Sequence, residues 1–483
     1  MKYILLFIFS LTLFMACEET LKEVPKDFIS KNNYYKNQAD AEGAIAGVYS
    51  SFASDYGITF WLFSVLHGDY ANGRGSQATI TVFDQILDQT NINRAGSIWS
   101  SFYRTINRAN SVLDNVPAIE DINPDVKARI LSEAHFFRAL SYFNLVRGFG
   151  DVPLKTSESV DISDIASPRV SQDQVYDLIL SDALEAEKNL PESVGDNTGQ
   201  LSVWAAKMLL AEVYLTLEKW DDAARVSKDV MDNSPYQLTP VTEADDYYNT
   251  FANFANTEYI LAVNHSASRQ SSIPSYLHRP NTPPYNYSSG GVFAWLPNLN
   301  SFIGDEWDDN DLRKEFNLYR EYLGPDGEMV SLPSSSPVLF KKFITGTDGL
   351  RLYSDPIFRI TEAYLIFAEA AAMANNGPTV DAVEALNAIK RRAYGYEMFS
   401  SSPVDYSANM TATEFQNAVL QEKAYEFIVE GKRWWDLKRT GKVKEALAAA
   451  GKDFIDERFL WPIDEDEINN NPDITAQDQN PGY

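Results

Sequence analysis

Two alanine-rich stretches in the middle of the chain, SVWAAKMLLAEVYLTL (202–217) and DDAARVSKDVMD (221–232), decide the fold. Their apolar residues recur every three or four positions, which is typical of amphipathic helices. Small residues stand where the two helices would meet: Ala205, Ala206, Ala211, Ala223 and Ala224. Because such residues let two backbones approach closely, the pattern predicts a helical hairpin.

A second pair of this kind lies far downstream, at 355–374 and 379–391. It also carries small residues at the predicted contact: Ala368, Ala370, Ala371, Ala382 and Ala385. Paired amphipathic helices that meet through small residues resemble tetratricopeptide-type hairpins. The chain is therefore predicted to be mostly α, with a tetratricopeptide-like helical hairpin scaffold that is interrupted between the two pairs.

The interrupting segment, 233–354, has a different composition. Pro, Gly, Ser, Asn and Tyr are frequent in it, and only 259–263 and 338–343 read as short strands. A long irregular insert inside a helical scaffold is usually functional. We therefore expect this loop-rich insert to contribute a binding surface.

Apolar periodicity predicts further helices outside the hairpins, at 38–56, 97–115, 124–147, 171–191 and 413–430, with a short one through 439. Gly148 is predicted to end the third of these. Two capping boxes, Ser171 with Gln174 and Thr413 with Gln416, are predicted to open later ones. The aromatic-rich segment 60–83 is predicted to be irregular, and the tail 460–483 to be a packed strap.

The N-terminus reads as an export signal. Lys2 precedes an apolar run at 3–13, and Ala16 stands directly before Cys17, the single cysteine of the chain. The apolar run is too short to span a bilayer, and its end resembles a bacterial lipoprotein signal. We thus expect a signal peptide at 1–16, lipidation at Cys17 and a polar tether over 17–37; the alternative is a secreted protein with a free thiol.

Composition argues against several classes of protein. The formal charge of −27 disfavours nucleic acid as a partner, and no second apolar run is long enough to span a membrane. There is no Gly-x-Ser-x-Gly, His-Glu-x-x-His or phosphate-loop motif. The four histidines lack metal-ligand spacing, and the acidic run at 305–311 lacks the glycine of an EF-hand. We therefore expect no catalytic residues, metal or cofactor, and interpret the acidic run as a solvated loop rather than a calcium site.

Five separated segments carry a family resemblance: EAHFFRALSYF to FGDVPL (133–154), RITEAYL to AEA (359–370), the stretch 422–439 with EGKRWWDLKR, LWPI (460–463) and QNPGY (479–483). Together with Cys17 they resemble the SusD/RagB family of outer-membrane nutrient-binding lipoproteins of the Bacteroidetes. The resemblance implies a lipid-anchored, surface-facing outer-membrane protein with helical family regions at 38–232 and 355–483. It also implies a protein that binds oligosaccharides, or in some branches peptides, and delivers them to a SusC-like TonB-dependent transporter without cleaving them.

The charged residues within these segments could suggest catalysis. Glu426, Glu430 and Arg433 lie on one helical face, and Arg359 and Glu362 are helical neighbours. Opposite charges at helical spacing more often tie helices together. We therefore interpret them as structural ion pairs.

A carbohydrate site needs aromatic faces for sugar rings and polar groups for hydroxyls. Two regions predicted to be non-helical, 61–83 and 276–295, offer both. The candidate ligand residues are Trp61, Asp69, Tyr70, Arg74, Tyr285, Tyr287 and Trp295, and core packing is the alternative role for each aromatic. A surface glycoside hydrolase, which requires two carboxylates across a cleft, is the rival function.

Overall fold

The computed structural model describes residues 34–251, 256–266, 268–278, 294–296, 307–343 and 354–483. The predicted signal peptide, Cys17 and most of the tether lie outside these ranges. Within them, no helix combines the length and the apolar character needed to cross a membrane.

Helices dominate the described chain, which confirms the predicted fold class. They are α1 Gln38–Asp55, α2 Ile58–Leu66, α3 Gln89–Asn115, α4 Pro124–Phe149, α5 Gln172–Glu187, α6 Val203–Thr216, α7 Trp220–Asn233, α8 Tyr248–Phe251, α9 Ile273–Leu277, α10 Leu312–Asn317, α11 Ile360–Ala374, α12 Val380–Ala393, α13 Ala412–Glu426, α14 Arg433–Arg439, α15 Val443–Ala449 and α16 Glu465–Asn470.

The strands are short and antiparallel. They are β1 Asn72–Gly73, β2 Val152–Pro153, β3 Arg169–Val170, β4 Tyr259–Val263, β5 Ala294–Trp295, β6 Leu318–Tyr319, β7 Glu321–Leu323, β8 Met329–Ser331, β9 Leu339–Phe340 and β10 Asp355–Arg359. Within the described ranges they pair as β1–β5, β2–β3, β4–β10, β6–β9 and β7–β8. The predicted strand at 259–263 is confirmed, whereas the one predicted at 338–343 is reduced to β9.

The helices stack in one continuous series. From α3 to α7 each helix packs on the next, α1 packs on α3, and α7 packs on α11, which also contacts α12 and α13. The two predicted hairpins, α6–α7 and α11–α12, are therefore neighbours in space although the insert separates them in sequence. Their alanines explain the close contact, since Ala206, Ala211 and Ala368 are fully buried.

Several predicted helix boundaries were wrong. Helix α3 begins at Gln89 rather than 97, because Asp88 caps it by accepting a hydrogen bond from the Asn91 amide. Helix α4 continues past Gly148, and Gly150 at φ 79° ends it. Gly148 serves packing instead, since an added Cβ would lie 2.8 Å from the indole of Trp461.

The C-terminal helices also differ from expectation at their ends. The capping box of α13 is formed by Thr411 and Glu414, not by Thr413 and Gln416, and the helix ends at Glu426 rather than 430. The segment Asp355–Arg359, predicted as the first turn of a helix, is strand β10, and α11 begins at Ile360.

Helix α2 was missed within a segment predicted to be irregular. Seven of its nine residues, Phe60 to Leu66, are buried. A helix that is buried on all sides carries apolar residues on all sides and so shows no amphipathic period. Its sequence, ITFWLFSVL, therefore contained no signal that periodicity could detect.

The tail is packed, as predicted. Trp461 and Ile463 are buried, and the side-chain amide of Asn480 donates to the carbonyls of Phe149 and Trp461. These contacts hold the C-terminus against the end of α4.

Candidate functional site

Two short strands join the two regions that were predicted to bind ligand. Strand β1 runs antiparallel to β5, with Asn72 opposite Trp295 and Gly73 opposite Ala294. An isolated bridge from Leu296 to Val338 continues from β5 toward the β6–β9 pair. The 61–83 region and the insert thus share one small antiparallel arrangement, which we call the β1–β5 surface.

Trp295 gives this surface an aromatic side chain. The indole is partly buried and packs against a small apolar cluster formed by Tyr319, Tyr322, Leu332 and Leu339. This cluster is separate from the main core. Its packing fixes the ring, and a fixed, partly exposed indole can accept the apolar face of a sugar ring.

Arg74 contributes an exposed cation next to β1. The residue lies between two glycines with different roles. A Cβ at Gly73 would lie 2.4 Å from the carbonyl oxygen of Gln77, and Gly75 has φ 58°. Glycine is therefore required at both positions for the chain to turn sharply here.

The loop that follows Arg74 is held from beneath by α3. Arg94 donates to the carbonyl and the hydroxyl of Ser76 at 2.9 and 2.8 Å. Asn91 donates to the same carbonyl at 2.9 Å. These bonds fix the loop without using Arg74.

Three predicted ligand residues lie below the surface instead of on it. The Asp69 side chain is fully buried, and its carboxylate accepts two hydrogen bonds from Arg433 at 3.0 and 2.8 Å. Tyr70 is 1 % exposed, and Trp61 is 7 % exposed and lines a cavity of about 70 Å³. In this structure these side chains support the β1–β5 surface and offer a ligand little or no area.

Tyr70 and Trp61 both form hydrogen bonds with Val429, whose backbone conformation is unusual. Val429 has φ 55°, a left-handed conformation that β-branched residues rarely adopt. Its amide donates to the Tyr70 hydroxyl at 3.0 Å, and its carbonyl accepts from the Trp61 indole at 2.8 Å. The chain leading to β1 is therefore fastened to the turn that follows α13.

The remaining candidates, Tyr285 and Tyr287, lie outside the described residues, so their contact with ligand stays a prediction. Sequence reasoning named Arg74 and Trp295 from residue type alone, and their contact with ligand also stays a prediction. It gave no reason to place them together, because strands of two residues leave no periodic pattern.

The charged residues of the family segments form buried ion pairs, as interpreted, but the predicted helical faces were wrong. Arg359 lies on strand β10, Glu430 lies beyond the end of α13, and Arg433 pairs with Asp69 instead of Glu430.

Five charged residues form one buried network. Arg359 contacts Glu258 and Glu430, each at 2.8 Å. Arg392 contacts Glu258 at 2.6 Å and Glu426 at 2.8 Å. These five residues tie β10, α12 and α13 to the chain before β4.

The network fixes the ionisation of Glu426. Burial alone would raise the pKa of this carboxyl. The guanidinium groups of Arg392, Arg359 and Arg313 outweigh burial and hold the pKa well below its usual range. Glu426 is therefore a charged structural group rather than a proton donor.

A separate cluster joins one lysine to two glutamates, and here a carboxyl pKa is raised instead of lowered. Lys432 lies 2.8 Å from Glu212 and 2.9 Å from Glu362. Burial and the nearby Glu212 raise the pKa of Glu362 well above its usual value. The cavity that the pair lines measures about 30 Å³, room for a water molecule and too little for a sugar ring.

The described part of the acidic run is occupied by local contacts. Asp311 caps α10 and pairs with Arg313 at 2.6 Å, and Asp309 pairs with Lys314. Among the residues that the structure describes, no group of three His, Cys, Asp or Glu side chains is placed to hold a metal ion.

Comparison with known proteins gives two family matches. Residues 27–215 match a family described as starch-binding and associating with the outer membrane, and residues 334–483 match the SusD family. The chain is also similar to the SusD-like protein P38 of Formosa agariphila. The two are 27 % identical over an alignment of 507 residues that covers 97 % of each.

Solved structures show the same likeness. A laminarin-binding SusD-like protein is 27 % identical, with a TM-score of 0.74 over 93 % of this chain and 100 % of that one. A SusD homologue from Bacteroides thetaiotaomicron superposes with a TM-score of 0.78 at 20 % identity, over 96 % of this chain and 100 % of the other. At 20 % identity, the second structure shows that the fold is similar and nothing further.

Proposed function

This chain is a SusD/RagB-like protein, and we propose that it binds oligosaccharides at the cell surface and delivers them to a SusC-like TonB-dependent transporter without cleaving them. The observation that carries the proposal is the β1–β5 pairing, which places the partly exposed Trp295 opposite Asn72, two residues before the exposed Arg74. An aromatic ring beside amide and guanidinium groups is the composition that a sugar-binding surface requires.

The laminarin-binding relative supports a glucan as the first ligand to test. We propose that Trp295 stacks on a sugar ring while Arg74 bonds to its hydroxyls, with Tyr285 and Tyr287 contributing from the insert. Trp61, Asp69 and Tyr70 act through the position of β1.

Calorimetric titration with laminarin and starch oligosaccharides tests the site. We expect Trp295→Ala and Arg74→Ala each to weaken glucan binding by roughly tenfold, the loss of one ring contact or one charge-assisted hydrogen bond. Phe399→Ala is the matched control, since Phe399 is an exposed aromatic, 64 % accessible, on the connection between α12 and α13. Unchanged affinity in both site variants would refute the site, and binding of peptides without binding of glucans would favour the peptide-binding alternative.

The remaining parts of the proposal concern location and outcome. We propose that Cys17 carries the lipid anchor, that the tether at 17–37 connects it to the body, and that the insert at 233–354 is the ligand-facing part. Replacing Cys17 by Ala should release the protein from the membrane fraction and leave its glucan affinity intact. Incubation with the bound glucan should yield no shortened product, whereas cleavage would favour the hydrolase alternative.

A further inference from the structure

A second pocket lies away from the β1–β5 surface, where α4 ends and the C-terminal tail crosses α14. It measures about 250 Å³, and Gln172, Tyr176, Trp435, Lys438 and Phe459 are among the residues that line it. We call it the Lys438 pocket. It shares no lining residue with the β1–β5 surface.

The charge of this pocket is unusual for an acidic chain. Its lining includes Arg147, Lys438 and Arg439 and no Asp or Glu, although the protein carries a formal charge of −27. Arg439 is neutralised by Glu369 and Asp436, at 2.6 and 2.7 Å. Arg147 lies 3.8 Å from Glu212. Of the three cations, Lys438 is therefore the one for which the described chain shows no ion pair.

Lys438 has no carboxylate partner in the described chain. Its ammonium donates to the carbonyl of Arg147 at 2.5 Å and lies 4.8 Å from the centre of the Phe459 ring. Burial, together with the nearby Arg147 guanidinium, lowers the pKa of Lys438 to about 7. An anion at this point would remove an electrostatic penalty that the protein itself leaves in place.

Other groups at the pocket are suited to an organic ligand. The side-chain amide of Gln172 and the hydroxyl of Tyr176 make no hydrogen bond to the described protein, so a ligand could use both. Phe459 is 37 % exposed and provides an aromatic face. The pocket thus combines an uncompensated cation, two polar groups and an aromatic wall, the usual composition of a small-molecule site.

We propose that the Lys438 pocket binds a sugar unit that carries one anionic group, a carboxylate or a sulfate. The anion contacts the ammonium of Lys438, the ring lies against Phe459, and Gln172 and the Tyr176 hydroxyl bond to ring substituents. Lysine acts as a point charge and accepts either anion. The inference does not rest on glucan binding at the β1–β5 surface.

Binding should be linked to proton uptake. At neutral pH part of the Lys438 population is uncharged, and a bound anion favours the ammonium form and so raises its pKa. Affinity should therefore fall as pH rises through about 7 and above. A neutral sugar bound at the same place would show no such dependence.

The test is calorimetric titration of the full mature chain with glucuronate, glucose 6-sulfate and glucose at pH 6 and pH 8.5. We expect at least one anionic sugar to bind more tightly than glucose, and more tightly at pH 6 than at pH 8.5. Lys438→Met should weaken that binding by roughly tenfold, the value of one charge-assisted hydrogen bond, and remove its pH dependence. Comparison of the two anionic sugars identifies the preferred group.

Three further variants keep the result interpretable. Lys444→Met removes the same charge from an exposed position on α15, 65 % accessible, and should change nothing. Tyr176→Phe removes one hydroxyl and should weaken binding several-fold even if Lys438→Met folds poorly. Arg74→Ala should leave anionic-sugar binding intact. The proposal is overturned if neither anionic sugar binds better than glucose, if Lys438→Met and Tyr176→Phe both retain full affinity, or if Arg74→Ala abolishes the binding.

Discussion

The buried charge network and the β1–β5 surface use the same residue types in opposite ways. In the network, Arg359 and Arg392 are each 1 % exposed or less in their side chains and share the carboxylates of Glu258 and Glu426. At the β1–β5 surface, Arg74 is exposed and follows the strand that pairs with the partly exposed Trp295. The first arrangement joins segments distant in sequence, and the second presents groups to solvent.

This difference indicates that the residues that carry the family resemblance are not the residues proposed to contact the ligand. The charged motifs that carry the resemblance are used by the scaffold, since their side chains are buried and paired. The groups that we propose for the ligand stand on strands of two residues and on the insert, outside the five segments that carry the resemblance. A protein of this construction can keep its motifs while its binding surface changes.

The largest effect should come from breaking the network. Glu426→Ala would leave Arg359 and Arg392 with a missing carboxylate in the interior, and we expect the free energy of unfolding to fall by about 3 to 5 kcal/mol. Urea denaturation followed by circular dichroism measures this. As a control, Asp222→Ala breaks an exposed pair with Arg225 and should cost less than about 1 kcal/mol. Equal losses of unfolding free energy in the two variants would contradict the structural role of the buried network.

The next effect tests whether the interior positions the surface. Asp69→Ala leaves Arg433 buried without its two-bond partner, so we expect a loss of about 3 kcal/mol in unfolding free energy. Because Asp69 lies three residues before Asn72, glucan affinity should fall as well. Arg74→Ala should lower affinity with little change in stability. If Asp69→Ala destabilised the protein but bound glucan normally, the surface would not depend on this support.

A smaller effect is expected at the turn itself. Gly73→Ala would place a Cβ 2.4 Å from the Gln77 carbonyl oxygen, and relief of that clash should cost about 1 to 3 kcal/mol and displace β1. Glucan titration and thermal denaturation of the same sample measure both consequences. Gly47→Ala on α1 is the matched control, because nothing lies within 4 Å of its added Cβ. That variant should be neutral or slightly stabilising.

The last effect appears only as a pH dependence and concerns a buried acid for which the described chain shows hydrogen bonds but no salt bridge. Asp55 accepts hydrogen bonds from Ser101 and Thr105, and burial raises its pKa to about 7. The folded state therefore binds a proton more tightly than the unfolded state, and stability should decrease as pH rises from 5 to 8, by roughly 2 to 3 kcal/mol. Asp55→Asn should remove this dependence. The free energy of unfolding, measured at several pH values, tests this. An unchanged pH dependence in Asp55→Asn would show that Asp55 is not the titrating group.

Sequence reasoning succeeded where the signal was local and periodic. The alanines of α6 and α7 predicted a hairpin because they recur at helical spacing. The ion-pair role of Glu426 and Glu430 was also predicted, but their partners Arg359 and Arg392 come from other elements and not from a shared helical face. It failed for α2, whose apolar residues cover every face. It also could not identify the partner of Asp69, because Arg433 lies 364 residues away and only the tertiary fold brings the two together.

The pairing of β4 with β10 has a consequence for how the insert can vary. The ladder aligns Val263 with Asp355, so the chain leaves and re-enters the scaffold at one place, where β4 contacts α6 and β10 contacts α11. Closing a loop costs free energy that grows only with the logarithm of its length, by about 0.6 kcal/mol for each doubling. Loop closure therefore sets little limit on the length of the segment 264–354. An exchange for the corresponding segment of a relative must, however, keep Arg313 and Lys342, which pair with Glu422 and Glu430, and Phe316, which packs in the main core. With these contacts kept, the β4–β10 pair is a suitable junction for chimaeras that test ligand preference.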